Sequence, residues 1–233
     1  MKKYLIIGGT SGIGLEITKL LVAKNNQVIV ISRQKRNIEE LNNVIFYSAD
    51  VTKPIEELPE IDDKLNGLVY CPGTINLKPF KNLKIDDFKY DFEINFLGAV
   101  KIINKYLNNL YQTDVASIVL FSTVAVQTGM PYHSSIASAK GAVEGLTRSL
   151  AAEFAPKIRV NCIAPSLTNT PLAEKFLNSE SKLQSSIDRH PLKRIGNPTE
   201  IAELVYFLLS DSSSFITGQI IKVDGGISSI RNL

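Results

Sequence analysis

The chain is poor in cysteine, with two in 233 residues. Cys71 and Cys162 lie far apart in apolar, strand-like stretches and carry no metal-ligand spacing. That excludes a disulfide-stapled scaffold and a cysteine metal site, and fits buried thiols in a reducing compartment. An excess of charge of one sign is also missing. A formal net charge of +3, dispersed along the chain, is too small to argue for nucleic acid. No apolar run approaches the ~18 residues of a membrane span. Lys2 and Lys3 precede only Tyr4 to Ile7 before glycines begin, too short for a signal-peptide core. The expectation is a soluble, cytoplasmic protein with neither a nucleic-acid nor a membrane partner. There is no internal repeat, low-complexity linker or compositional break, so residues 1–233 are expected to form a single domain.

What the chain does contain is an ordinary globular balance, 44% hydrophobic and 21% charged, and a regular alternation of elements. Short β-branched runs at 4–7, 28–32, 44–48, 67–71, 117–122, 159–164 and 220–223 read as strands. Helical patterns cover 14–24, 38–42, 84–112, 135–154 and 199–210. Strands separated by crossover helices predict an α/β fold, a doubly wound, seven-stranded parallel sheet of the Rossmann-like kind. The segment 172–190 breaks the rhythm, being polar and Ser-rich with apolar Leu172, Phe176, Leu177 and Leu183. It reads as a substrate lid, the alternative being a surface helix pair.

The first strand runs into Gly8-Gly9-Thr10-Ser11-Gly12-Ile13-Gly14 and then a helix. A pyrophosphate bound there meets free N–H groups and the positive end of the helix dipole, and glycines permit its close approach. The second strand ends at Ser32-Arg33, with Lys35 and Arg36 beyond. A carboxylate at this place suits a ribose 2′-hydroxyl; a basic residue suits a 2′-phosphate, so Arg33 points to NADP.

Further along stand Asp50-Val51, Tyr70-Cys71-Pro72-Gly73, Asn95-Phe96-Leu97-Gly98 and Phe121-Ser122-Thr123-Val124-Ala125. Then come Ile136-Ala137-Ser138-Ala139-Lys140, Pro165-Ser166-Leu167-Thr168-Asn169-Thr170, and Val223-Asp224-Gly225-Gly226. From Tyr4 to Gly226 the sequence resembles the short-chain dehydrogenase/reductase family. The resemblance implies cofactor contacts from Gly8, Thr10, Ser11, Gly12, Ile13, Gly14, Arg33, Asp50, Val51, Gly73, Lys140, Pro165, Thr168 and Thr170. It implies a catalytic set in which Thr123 takes the Ser place, Asn95 orders a water, and Lys140 holds the nicotinamide ribose. It also implies a homotetramer or homodimer and a small-molecule substrate; no metal is called for.

The departure is Ile136. The family places the proton-donating Tyr four residues before the Lys, and an isoleucine transfers no proton at any pH. Tyr132 and His133 stand eight and seven residues before Lys140 and are the alternative donors; enoyl reductases of the superfamily put their Tyr seven before the Lys. An ordinary polar loop is the competing reading of that turn. Two functions therefore stand: an NADPH-dependent reductase of a carbonyl or activated alkene, which is preferred, and a non-catalytic NADP(H)-binding sensor or partner subunit.

Overall fold

The structure is a computed structural model and describes residues 1–230. Its elements run β1 Lys3–Ile7, α1 Gly12–Ala23, β2 Gln27–Ser32, β3 Val44–Ser48, β4 Gly67–Tyr70, α2 Ile85–Phe92, α3 Gly98–Tyr111 and β5 Ala116–Phe121. They continue with α4 Ala125–Thr128, α5 Ser134–Phe154, β6 Ile158–Pro165, α6 Glu180–Arg189, α7 Pro198–Leu209 and β7 Ile220–Val223. The seven strands form one parallel sheet in the order β3-β2-β1-β4-β5-β6-β7. The chain winds outward from β1 to β3, then returns to pair β4 with the other side of β1, bringing Ile7 opposite both Ile31 and Tyr70. A crevice opens at that reversal, beyond the carboxyl ends of the strands.

Strand alternation divides the core between the two faces of the sheet. Leu5 and Ile7 pack with Ile102, Tyr106 and Val143 on one side. Tyr4 and Ile6 pack with Ile17, Leu21, Val205 and Leu208 on the other. Both faces are covered, so central strands read as continuous apolar runs, whereas the edge strands β3 and β7 are only partly buried. Each buried Leu or Ile contributes roughly 1.5–3 kcal/mol, which makes this double layer the main stabilising feature. Among the described residues, no helix is long and apolar enough to cross a membrane.

Two expected helices differ. Residues 38–42 form turns, with Ile38 buried under α1 and α7 and Leu41 N donating to Ile38 O at 3.2 Å. Asn37 and Asn43 bracket the segment with φ of 59° and 61°, left-handed conformations that stop a helix at both ends. The helix expected over 84–112 is interrupted by a π turn, Glu93–Leu97. The widened turn leaves Ile94 O to accept the Tyr70 hydroxyl at 2.6 Å. A methyl at Gly98 would lie 2.2 Å from that hydroxyl oxygen, so Gly98 keeps the approach open.

Candidate active site

One cavity of about 750 Å³ runs along the carboxyl ends of the strands, from the loop before α1 to Ile227, past β7. Gly8, Ser11, Gly12, Ile13 and Gly14 form one wall. The turn is tight because a Cβ on Gly14 would sit 2.2 Å from Gly8 O. The first residues of α1 thus line open space at a helix N-terminus, the shape and polarity a pyrophosphate needs. Thr10 is the exception among the expected contacts. It is buried, shares a 3.0 Å hydrogen bond with Ser32 Oγ, and accepts Asn37 Nδ2 at its carbonyl, so it braces the loop from behind.

Arg33, Asp50 and Val51 line the next stretch. Asp50 Oδ1 accepts both the Thr52 amide and the Thr52 hydroxyl at 2.9 Å. The Thr52 amide, with help from its hydroxyl and from Arg33 and Lys53, holds this carboxyl below the usual range. Arg33 is exposed with its side chain on the rim, and Ser48 Oγ donates to its carbonyl at 3.2 Å. The residues present therefore fit an adenine nucleotide with an anion near its ribose.

The other half of the cavity gathers Thr123, Lys140, Pro165, Thr168 and Thr170. Lys140 lies on α5, 7% exposed, with Nζ donating to Phe121 O at 2.8 Å. Burial pulls its ammonium down to about 8, partly offset by the surrounding thiols and Asp91. Thr123 Oγ1 accepts Ala125 N at 3.3 Å, which leaves its own proton free for a ligand. Behind it, Ser122 Oγ donates to the buried Glu144 carboxylate at 2.7 Å. Cys71 also lines the wall, and burial pushes its thiol, like that of Cys162, up to about 12; both are unpaired and neither is a ready nucleophile.

Ile136 is 4% exposed and lines the cavity one helical turn before Lys140. Of the alternative donors, Tyr132 is carried away from the cavity: it is 56% exposed, has φ of 71°, and is not among the lining residues. His133 does line it, with Nδ1 2.8 Å from Pro131 O at the start of α5.

Asn95 lies in the π turn, 1% exposed, behind the wall. Its amide donates to Thr74 Oγ1 at 2.8 Å and Asp91 O at 2.7 Å, and its Oδ1 accepts Thr74 N at 3.3 Å. A methyl on Gly73 would be 3.3 Å from that Oδ1 and 3.7 Å from Lys140 Nζ, so Asn95, Gly73 and Lys140 do converge. Asp91, which sequence reading passed over, is fully buried beside them, accepting the Thr74 hydroxyl at 2.5 Å. Its Oδ2 has no partner among the described residues.

Sequence reading also missed His190. It is 3% exposed, lines the cavity, and stands 2.7 Å through Nε2 from Ser166 Oγ and 2.7 Å through Nδ1 from Ser186 O. Segment 172–190 borders this end. A 3-10 turn, Pro171–Phe176, and α6 present Leu172, Phe176 and Arg189 to the cavity, and Lys175 Nζ reaches across to Ile75 O at 2.8 Å. No group of three or more potential metal ligands occurs among the described residues.

The family profile described as Enoyl-(Acyl carrier protein) reductase matches residues 8–228. A tropinone reductase homolog of Datura stramonium is 33% identical, covering 95% of this chain and 90% of its own length. A short chain dehydrogenase family protein from Francisella tularensis superposes with a TM-score of 0.91 at 32% identity, covering 99% of this chain and 100% of that one. The structure of ElxO with NADP bound superposes with a TM-score of 0.90 at 30% identity, covering 98% and 99%.

Proposed function

The chain belongs to the short-chain dehydrogenase/reductase family, and we propose that it is an NADPH-dependent reductase acting on the carbonyl, or an activated alkene, of a partly apolar small molecule. The observation that carries this reading is the continuity of one cavity from the glycine cradle and Arg33 to Thr123 and Lys140. The NADP-bound relative supports the cofactor, and the reductases among its relatives support the direction.

Bound NADPH supplies the hydride. The chain's own residues bind, orient and polarise. The α1 N-terminus and the glycine cradle take the pyrophosphate, and Arg33 neutralises the 2′-phosphate. Lys140, an ammonium at neutral pH with about 8 as its titration point, spends one N–H on Phe121 O and keeps two for ribose hydroxyls. Thr168 and Thr170 offer hydroxyls and backbone beside Pro165 to the carboxamide. Thr123 donates to the acceptor oxygen. Asn95 secures the turn at Thr74 through two hydrogen bonds and is itself tied to Asp91 O by a third. Segment 172–190 closes over the substrate as a lid, its Leu172 and Phe176 favouring an apolar part.

Positioned proton transfer is worth about 10²- to 10⁴-fold, so replacing the usual Tyr by Ile136 slows a reductase without cancelling the gain from a correctly held hydride donor. A second reading rests on that same buried Ile136: a non-catalytic NADP(H)-binding sensor or partner subunit. NADPH oxidation by the wild type beside Ile136→Tyr, across ketones, acyl thioesters and enoyl thioesters, separates the two. Turnover by the wild type supports the reductase; turnover by the Tyr variant alone supports the second reading. The assembly proposed is a homodimer or homotetramer, and a monomer mass by light scattering at micromolar concentration refutes it.

A further inference from the structure

We propose that Ser166 and His190 form a proton relay that takes over the role left open by Ile136, with Ser166 donating to the substrate oxygen and His190 recharging Ser166. The proposal rests on the reductase reading and adds to it the source of the proton.

The geometry starts from the strand ends. Val124 N donates to Pro165 O at 3.3 Å, which sets the Thr123–Val124 turn directly beside Pro165–Ser166. Thr123, Ser166 and His190 all line the cavity. An acceptor oxygen held by the Thr123 hydroxyl therefore has the Ser166 hydroxyl on the neighbouring strand end.

The ring of His190 has one possible neutral tautomer. Ser186 O only accepts, so Nδ1 carries the hydrogen and donates to it. Nε2 is then the acceptor, and the Ser166 hydroxyl 2.7 Å away donates to it. Burial, the fixed Nδ1 bond and the backbone of Gly225, whose added Cβ would lie 3.5 Å from His190 Cδ2, hold the ring in place. A hydroxyl bonded to a base that a third group orients is the arrangement by which a side-chain hydroxyl exchanges protons efficiently. Imidazole is also the side chain suited to proton exchange near neutrality.

The balance closes. The nicotinamide cofactor provides two electrons and the carbon-bound hydrogen of the product. With the ring charged, Nε2–H donates to Ser166 Oγ across the same 2.7 Å, and the oxygen takes the freed Ser166 hydroxyl proton as the O–H bond of serine breaks. The imidazolium of His190 passes its Nε2 proton to Ser166 Oγ, restoring the hydroxyl and leaving the neutral ring with Nδ1–H on Ser186. Solvent reprotonates the ring between turnovers. Ser166 is the catalytic residue here and His190 its positioning partner and proton store. His133 also lines the cavity, but its one side-chain hydrogen bond runs from Nδ1 to Pro131 O and not to a hydroxyl.

The test has an arm without cofactor and an arm with it. The chain has only two histidines, so ¹⁵N-histidine labelling gives two ring systems, and His133→Gln assigns them. In the ligand-free protein at pH 8 the buried ring is expected as the Nδ1–H tautomer, with an Nε2 signal that moves in Ser166→Ala. An Nε2–H tautomer, or no change in Ser166→Ala, overturns the relay. In the second arm, Ser166→Ala and His190→Gln are expected to lower kcat about 10²-fold or more with KM and NADPH affinity unchanged. Adding Ile136→Tyr to Ser166→Ala is expected to restore turnover from the other wall. Wild-type kcat in Ser166→Ala, or a loss in His133→Gln instead, overturns the relay while the reductase reading stands. If the wild type oxidises NADPH with no acceptor, whether or not Ile136→Tyr does, the reductase reading fails and the relay with it.

Discussion

Replacing Lys140 by methionine should make the empty protein more stable at pH 7 and lose that advantage at pH 10. The reason is burial. A lysine normally titrates near 10.5, and the surroundings of Lys140 lower it to about 8. Each pH unit between the two values is worth about 1.4 kcal/mol, so the folded state carries a cost of roughly 3 kcal/mol at pH 7. Between pH 8 and 10.5 the unfolded chain holds the proton and the folded one does not, so stability rises with pH through that window. By pH 10 the remaining cost falls below about 1 kcal/mol. Methionine removes the charge and fills the space, but leaves Phe121 O without the donor it has at 2.8 Å, a loss of about 1–3 kcal/mol at every pH. The net expectation is a variant more stable by on the order of 1–2 kcal/mol at pH 7 and equal or less stable at pH 10. Urea denaturation followed by circular dichroism reads both, with the wild type run alongside to cancel other titrations. A variant less stable at pH 7, or a difference that does not change with pH, refutes the reasoning. A buried cation kept at this cost points to use in binding rather than in folding.

Arg33→Ala should weaken NADPH binding ten- to hundredfold, on the order of 1.5–3 kcal/mol for a charge-assisted contact, and leave NADH almost unaffected; titration calorimetry with both nucleotides decides, and an equal loss for both sinks the assignment. Gly14→Ala forces a methyl to 2.2 Å from Gly8 O and should cost about 1–3 kcal/mol or more while distorting the cradle. A wild-type melting temperature with intact NADPH binding would contradict the close approach. Ser122→Ala strips Glu144 Oε1 of its 2.7 Å donor, leaving Gln127 at 3.5 Å from the other oxygen. Destabilisation of about 1–3 kcal/mol is expected by thermal melting, and a neutral effect would mean that the carboxyl is otherwise satisfied.

The glycine-rich turn at the head of the cavity was legible because it is written locally. A strand, seven residues of glycine-rich turn and a helix start are contiguous, and their backbone geometry follows from residue type. Continuous apolar runs likewise dictated seven strands and their parallel pairing, since only a doubly covered sheet buries runs such as Leu5-Ile6-Ile7 on both faces. Other features depend on what lies across space. Periodicity cannot see that the chain widens into a π turn whose Ile94 carbonyl accepts the Tyr70 hydroxyl, dividing one expected helix into two. Nor can it see that left-handed Asn37 and Asn43 close off a helix at Ile38. The loop bearing Tyr132 and His133 held two donors in sequence, and backbone direction alone sent one outward and the other to the cavity. Asp91 against Thr74, and Ser166 against His190, are pairings between segments 17 and 24 residues apart. The sequence by itself determined the fold class and the glycine-rich turn, because each is a matter of local residue type. Tertiary structure alone decided which polar side chains share the cavity with Ile136, because hydrogen bonds between distant segments are set by packing and leave no period in the chain.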